Sequence, residues 1–277
     1  MSADYYGVIG NPIHHSLSPR VHSLFAEQTQ QQIDYHPILV ELDALPQALD
    51  DFQSQHGKGL SITLPFKQRA FNLIDSYSDR AGFAKAVNVI QFNKDGSRHG
   101  DNTDGIGLVR DIIQNCALPI CQKRVLVLGA GGAVRGVLGP LLQAQPSELV
   151  VVNRTESKAL LLIEEFLPYG PIRTCHLSEL VGNQFDIVIN ATSASLQGEV
   201  VDLPKNILNE DAFCYDMVYG KGLTPFLRWA GEQEVRSVDG LGMLVEQAAE
   251  SFSLWRGVKP ETQPVLEALR VNMSVNA

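Results

Sequence analysis

The residues with the plainest chemical potential begin at Gly129. Residues 123–128, Lys-Arg-Val-Leu-Val-Leu, read as an apolar strand that runs straight into Gly129-Ala130-Gly131-Gly132-Ala133 and then a helical stretch over 134–142. A strand feeding glycines that open a helix is the recipe for holding a pyrophosphate. Glycine lets the backbone approach phosphate closely, and the helix N-terminus offers unpaired N–H groups and a positive dipole end. Gly129 and Gly131 fill the first two positions of GxGxxG, while Val134 occupies the third. The incomplete fingerprint therefore rests on its context, a strand before it, a helix after it and a second strand ending about twenty residues on. A tight strand-to-helix turn without a ligand is the competing reading. The second strand, 149–152, ends in Asn153-Arg154-Thr155. A site for NAD ordinarily carries Asp or Glu there to meet the ribose 2′-hydroxyl. A guanidinium flanked by an amide and a hydroxyl suits a 2′-phosphate instead, which favours NADP. Taken alone, Arg154 reads equally well as a solvated loop charge.

Polar clusters elsewhere stand where neither a core nor a plain loop calls for them. They are Ser16-Leu17-Ser18-Pro19, Thr63-Leu64-Pro65-Phe66-Lys67, Asn88, Asp101-Asn102-Thr103-Asp104-Gly105, and Asp239-Gly240-Leu241-Gly242-Met243 with Gln247. For Ser16 and Ser18 the alternative is helix capping before Pro19, and Ser18 can serve both purposes. For Gln247 the alternative is an exposed helix position.

The elements that must position these groups alternate. Strands are expected over 5–10, 35–40, 59–64 and 86–92, and helices over 19–28, 45–52 and 67–74, with a turn at 94–97. A helix over 106–115 leads into the second α/β region, whose further strands are 149–152, 185–189 and 213–217. Such alternation implies a mostly parallel sheet covered on both faces. The helical tail, 244–255 and 265–271, has no strand to pair with and is expected to pack back on another layer.

Composition limits what the protein does. Of 277 residues, 44% are hydrophobic and 19% charged, as in an ordinary globular chain that buries a real core. Twenty-two Lys and Arg against 31 Asp and Glu leave a net charge of −9. That sign argues against nucleic acid or an anionic membrane as the main partner, but permits an anionic small substrate met by local donors. No signal peptide and no spanning segment are visible, and Cys116, Cys121, Cys175 and Cys214 lack any CxxC spacing, so reduced thiols in a cytoplasmic protein are expected. A zinc reading of Cys175-His176 lacks a second ligand pair.

Taken in order, the polar clusters, the glycine loop, Asn153-Arg154-Thr155, Asn190-Ala191-Thr192-Ser193 and Tyr215-Asp216-Met217-Val218-Tyr219 closely resemble the shikimate dehydrogenase family over nearly the whole chain. The resemblance implies a two-domain α/β protein. Residues 1–103 plus 241–277 would form the substrate domain, and 104–240 an inserted Rossmann-type NADP domain, with a deep cleft between them. It implies reversible NADPH-dependent reduction of 3-dehydroshikimate to shikimate, on the way to chorismate and the aromatic amino acids. By similarity, Lys67 is the acid/base with Asp104 as its carboxylate partner. Ser16 and Ser18, with Tyr219, would bind the substrate carboxylate. Thr63, Asn88, Asp104 and Gln247 would bind the ring hydroxyls. Gly129 to Ala133 and Asn153 to Thr155 would hold NADP, Met217 and Gly240 would flank the nicotinamide, Thr192 would lie beneath the cofactor, and Asp79 would reach it from the substrate domain. A monomer or homodimer is expected.

Three positions depart from the commonest pattern of that family. Ser61 stands where Asn is usual, which would remove a donor. Val134 replaces a small polar residue, with an effect on the pyrophosphate contacts. Ala194 and Ser195 replace Ser-Gly. Two rival readings remain. One is a dual quinate/shikimate dehydrogenase that also uses NAD, disfavoured by Arg154 and Thr155. The other is a non-catalytic dinucleotide-binding regulator, disfavoured by retention of Lys67 with Asp104. A zinc alcohol dehydrogenase is excluded for want of a ligand set.

Overall fold

A computed structural model describes residues 3–192, 194, 202–204, 206–220 and 222–275; Ser193 and Ser195 fall outside the described residues. The chain divides into two compact units, Met1–Gly107 with Leu244–Glu267, and Leu108–Met243 with Ala268–Ala277. This differs from the sequence expectation at the C-terminus, where the last turns pack in the second unit instead of the first. There Arg270 pairs with the Asp239 carboxylate and Leu269 is buried.

The first unit runs β1 (Asp4–Gly10), α1 (Ser18–Thr29), β2 (Ile33–Leu39), α2 (Leu45–Ser54), β3 (Gly59–Ile62), α3 (Lys67–Phe71), β4 (Ser76–Tyr77), α4 (Asp79–Ala84), β5 (Val89–Phe92) and β6 (Arg98–Asp101), and α5 (Asp104–Arg110) carries the chain into the second unit. That unit contains β7 (Arg124–Leu128), α6 (Gly132–Gln143), β8 (Glu148–Val152), α7 (Glu156–Phe166), β9 (Ile172–Thr174), β10 (Phe185–Asn190), β11 (Leu208–Asp216), α8 (Pro225–Glu232) and β12 (Arg236–Asp239). The chain returns within α9 (Leu241–Arg256) and ends in α10 (Gln263–Val275).

The first sheet has the order β2-β1-β3-β5-β6-β4. Strands β1, β2, β3, β6 and β4 all run one way and only β5 is reversed, antiparallel to both β3 and β6, so the sheet is mostly parallel, as expected, with one exception. The cause is local. Lys94-Asp95-Gly96-Ser97 reverses the chain in a few residues, with Asn93 N–H on the Ser97 carbonyl and Asp95 accepting from both Ser97 N–H and Oγ. A connection that short joins antiparallel strands only. The helix expected over 67–74 stops at Phe71, because Asp75 N–H is drawn to the Arg98 carbonyl at the edge of β6. Both faces of the sheet are covered. Leu45, Leu49 and Phe52 of α2 pack with Ile9, Leu60, Ile62 and Ile90 on one side. On the other, Trp255 of α9 packs against Tyr6 and Tyr35, and its Nε1–H reaches the Ile90 carbonyl at 3.1 Å. The tail helix thus covers a sheet face, as a helix with no strand of its own must.

The second sheet is wholly parallel, in the order β12-β11-β10-β7-β8-β9. The strand order reverses between β7 and β10, and in such sheets ligands bind outside the carboxyl ends of the strands at that reversal. Val125 to Leu128, Leu149 to Val152 and Ile187 to Ile189 are buried throughout, as strands covered on both faces require. Among the described residues, no helix is long and apolar enough to cross a membrane.

Candidate active site

In the first unit, the turn after β3 and the loop after β6 bring their polar residues together. β3 ends at Ile62, the Phe66 N–H closes a turn on the Thr63 carbonyl, and Lys67 opens α3. Asp101-Asn102-Thr103 leads directly into α5, whose first residue is Asp104. The Lys67 ammonium lies 2.6 Å from Asp104 Oδ2, with the lysine side chain 27% and the carboxylate 11% exposed. The second carboxylate oxygen is also engaged, accepting from Asn88 Nδ2 at 2.9 Å. That amide nitrogen is 3.1 Å from Gln247 Oε1 and 3.0 Å from Thr103 Oγ1, while Asn88 Oδ1 accepts from the Thr103 N–H at 2.8 Å. Gln247 is therefore a half-buried member of a network, not an exposed helix position. The outcome is a half-buried cation that carries a transferable proton, held against a carboxylate whose oxygens are both occupied. Such a pair can deliver a proton to an oxygen that is gaining negative charge.

A supporting layer that sequence reasoning passed over fixes this loop. Arg80 grips Asp101 through Nη2 at 2.6 Å and Nε at 3.0 Å, and its Nη1 reaches Glu250 of α9 at 2.9 Å. Burial alone would raise the Asp101 carboxyl, but bonds from Arg80 and Ser78 outweigh it and hold it below the usual carboxylate range. Asp101 Oδ1 in turn takes the Asn102 N–H, and Asn102 Oδ1 takes the Asp104 N–H. Ser251, four residues beyond Gln247 on α9, adds its hydroxyl to Thr103 Oγ1 at 3.2 Å. The one available signal was that spacing, which sets two polar side chains on one face of a mostly apolar helix.

Ser16 and Ser18 flank the start of α1. Ser16 Oγ, not Ser18, accepts a helix-entry N–H, that of Ser18 at 3.3 Å; Ser18 makes no capping bond and is buried. Thr63 sits against Gly10, where a Cβ would come within 2.6 Å of its methyl group, so only glycine leaves room for it. Asp79 is exposed on the first turn of α4, away from any ion pair among the described residues.

In the second unit, the glycine loop lies between β7 and α6, in the expected order of strand, glycines and helix. Gly129 adopts φ +112°, a left-handed conformation that favours glycine, with the Ala191 carbonyl 3.3 Å from where its Cβ would lie. Gly131, Gly132 and Ala133 are exposed at the N-terminus of α6, and nothing lies within 4 Å of a Cβ built on Gly131. Their open backbone N–H groups fit a pyrophosphate. Val134 is fully buried, so its side chain serves the core and takes nothing from the loop's outer surface. At the end of β8, Asn153 Nδ2 binds the Thr155 carbonyl at 2.8 Å, which bends the chain so that Arg154 and Thr155 are exposed. Thr192 donates to Asn190 Oδ1 at 2.7 Å, Asn190 Nδ2 reaches Asp216 Oδ1 at 3.0 Å, and Asp216 also accepts from Thr224 at 2.6 Å. These bonds tie together the ends of β10 and β11. Gly240 is pressed on Met217, whose carbonyl oxygen would lie 2.3 Å from a Cβ there. Tyr219 belongs to this unit too, its hydroxyl pushed up by burial and by the nearby Asp239 charge. Among the described residues, no group of three or more His, Cys, Asp or Glu side chains could hold a metal.

This geometry has known counterparts. Residues 8–90 match the shikimate dehydrogenase substrate binding domain, residues 111–208 the shikimate / quinate 5-dehydrogenase family and residues 240–270 the shikimate 5'-dehydrogenase C-terminal domain. The chain is 54% identical over 268 residues to shikimate dehydrogenase (NADP(+)) of Cellvibrio japonicus, an alignment covering 96% of this chain and 97% of the relative. The chain belongs to the shikimate dehydrogenase family. A crystal structure of an Ael1 enzyme from Pseudomonas putida superposes with a TM-score of 0.92 at 51% identity, covering 96% of this chain and 98% of that one. Shikimate 5-dehydrogenase from Thermus thermophilus, solved in complex with NADP(H) and shikimate, gives a TM-score of 0.86 at 33% identity, covering 96% and 98%. Against the commonest shikimate dehydrogenase pattern, the Ser61 departure does not leave a bare position. Its hydroxyl is bonded to the Tyr35 phenol at 2.8 Å.

Proposed function

We propose that this chain catalyses the reversible NADPH-dependent reduction of 3-dehydroshikimate to shikimate, a step toward chorismate and the aromatic amino acids, in the cytoplasm. The observation that carries the reading is the 2.6 Å Lys67–Asp104 pair set among Asn88, Thr103 and Gln247, in a chain of this family. NADPH, when bound, supplies the hydride that reaches the ketone carbon. Lys67 supplies the proton to the oxygen that becomes the new hydroxyl, and in the reverse direction takes it back. Asp104 orients the ammonium and balances its charge. In this reading Thr63, Asn88 and Gln247 would fix the ring hydroxyls, and Ser16, Ser18 and Tyr219 would bind the substrate carboxylate. Several short hydrogen bonds from neutral donors can stand in for an arginine.

For NADP, the residues of the second unit suit the pyrophosphate at Gly129 to Ala133 and the 2′-phosphate at Asn153 to Thr155, with Met217, Gly240 and Thr192 toward the nicotinamide. Asp79 would add a further contact to the cofactor. The test is nicotinamide absorbance while the purified protein meets shikimate, then quinate, each with NADP⁺ and with NAD⁺. Reduction confined to shikimate with NADP⁺ is expected, and none in any pairing from folded protein would sink the reading. A second reading, dual use of quinate, draws support from the family description matched by residues 111–208, which names both substrates. Comparable rates with quinate would select it.

A further inference from the structure

The Ser61 hydroxyl on β3 finds its partner two strands away, on β2. Tyr35 of β2 is buried, and its phenolic O–H donates to Ser61 Oγ of β3 at 2.8 Å. The ring that carries this phenol is clamped. His22, one helical turn beyond Ser18 on α1, stacks on Tyr35 with ring centroids 4.3 Å apart and planes inclined by only 10°. Phe25, Phe252 and Trp255 close around the imidazole. Both His22 ring nitrogens are buried without a hydrogen-bond partner among the described residues. A polar ring kept there contributes a flat neutral wall, not a bond, and what it presses on is Tyr35. Burial also pushes the phenol well above its usual range, so it stays protonated and remains a donor at every working pH.

A phenol that keeps its one proton and gives it to a neighbouring hydroxyl sets the sense of the pair. Tyr35 gives its proton to Ser61, so the Ser61 proton is free to point onward to an acceptor oxygen. Ser61 is two residues before Thr63, hence on the same face of the extended chain. We propose that Tyr35 is a positioning residue for substrate recognition, its clamped hydroxyl orienting Ser61 so that the serine presents its proton to a polyhydroxylated cyclic carboxylate. The proposal rests on the dehydrogenase reading above and adds to it a residue that does not itself touch the substrate.

Tyr35→Phe removes one oxygen and leaves the stack. Steady-state kinetics should show the KM for shikimate raised about tenfold, with kcat within about twofold and the KM for NADP⁺ unmoved, the pattern of lost uniform substrate binding. Ser61→Ala should do the same, and the double variant should be no worse than either single, because the two act through one bond. An unmoved shikimate KM in Tyr35→Phe, an equal rise in the NADP⁺ KM, or a double variant whose effects multiply would each overturn the proposal. Melting temperatures of all three guard against a folding effect. Should Tyr35→Phe not fold, Ser61→Ala, which leaves the ring in place, decides the matter by raising KM or leaving it unchanged. Wild-type turnover distinguishes the two levels of the argument. If wild type does not oxidise shikimate, both readings fall; if it does and the variants match it, only the role of Tyr35 falls.

Discussion

In the proposed reaction Lys67 carries the greatest chemical burden of any single residue. Its ammonium has one carboxylate 2.6 Å away, and that carboxylate is further held by Asn88, so the ammonium is fixed in place before any substrate arrives. Lys67→Ala should lower kcat by roughly 10²–10⁴, the usual worth of a positioned acid/base group, and leave NADPH binding intact by fluorescence titration. Turnover within a few-fold of wild type would remove the lysine from the chemistry. His22 offers a different test. Burial holds its ring neutral, with a pKa lowered to about 3 from the ordinary 6.5. Below 6.5 the unfolded chain gains a proton there that the folded chain refuses until about pH 3. Folding is therefore favoured above that window and loses at most about 1.4 kcal/mol for each pH unit of acidification within it. Melting curves should show wild type weakening with acid more steeply than His22→Phe, and parallel curves would contradict this account. His22 lies in a helix that its neighbours Val21 and Phe25 announced by their spacing, but nothing in one dimension marks its ring as orphaned or stacked on a tyrosine thirteen residues on.

At the scale of elements, the strand–glycine–helix unit proposed to hold the pyrophosphate was legible because its parts are contiguous. An apolar strand, glycines and a helix are short-range features, and β7, the loop and α6 follow in that order. Arg154 extends the same logic, since it leaves the end of β8 exposed and close in sequence to the N-terminus of α7. Arg154→Ala should weaken NADPH by about tenfold or more through loss of a charge-assisted phosphate contact, and NADH much less. Equal loss for both, measured as Kd, would mean that Arg154 does not read the 2′-phosphate. Direction of strand pairing was less legible. The short turn at Asn93–Ser97 makes β5 and β6 antiparallel, and a pattern of alternating strands and helices carries no record of that. Boundaries erred where backbone groups found distant partners, as at Asp75 with Arg98, which ends α3 early.

For the molecule as a whole, all four cysteines are free, with only Cys121 exposed, and burial pushes Cys116 and Cys214 up to about 12. Stability is therefore expected to come from the two cores, without cross-links. Melting temperature should be the same with and without a reductant, and a fall on reduction would reveal a disulfide. The identity of the family, the order of the two α/β regions and most candidate site residues were available from the sequence alone, since each rests on residue type and near-neighbour spacing. Ser16 with Ser18, Thr63 with Lys67, and Gly129 to Ala133 are all runs within one short segment. The tertiary structure decided the rest. It set Asn88 between Asp104 and Gln247, 159 residues apart from the latter, and placed Arg80 as a bridge from Asp101 to Glu250. It also gave Ser61 its Tyr35 partner across the sheet and allotted the end of α10 to the second unit. The physical reason is the same in each case. A hydrogen bond depends on the distance and angle between two groups after the chain has folded, and burial depends on everything packed around them; neither is written in the residues on either side.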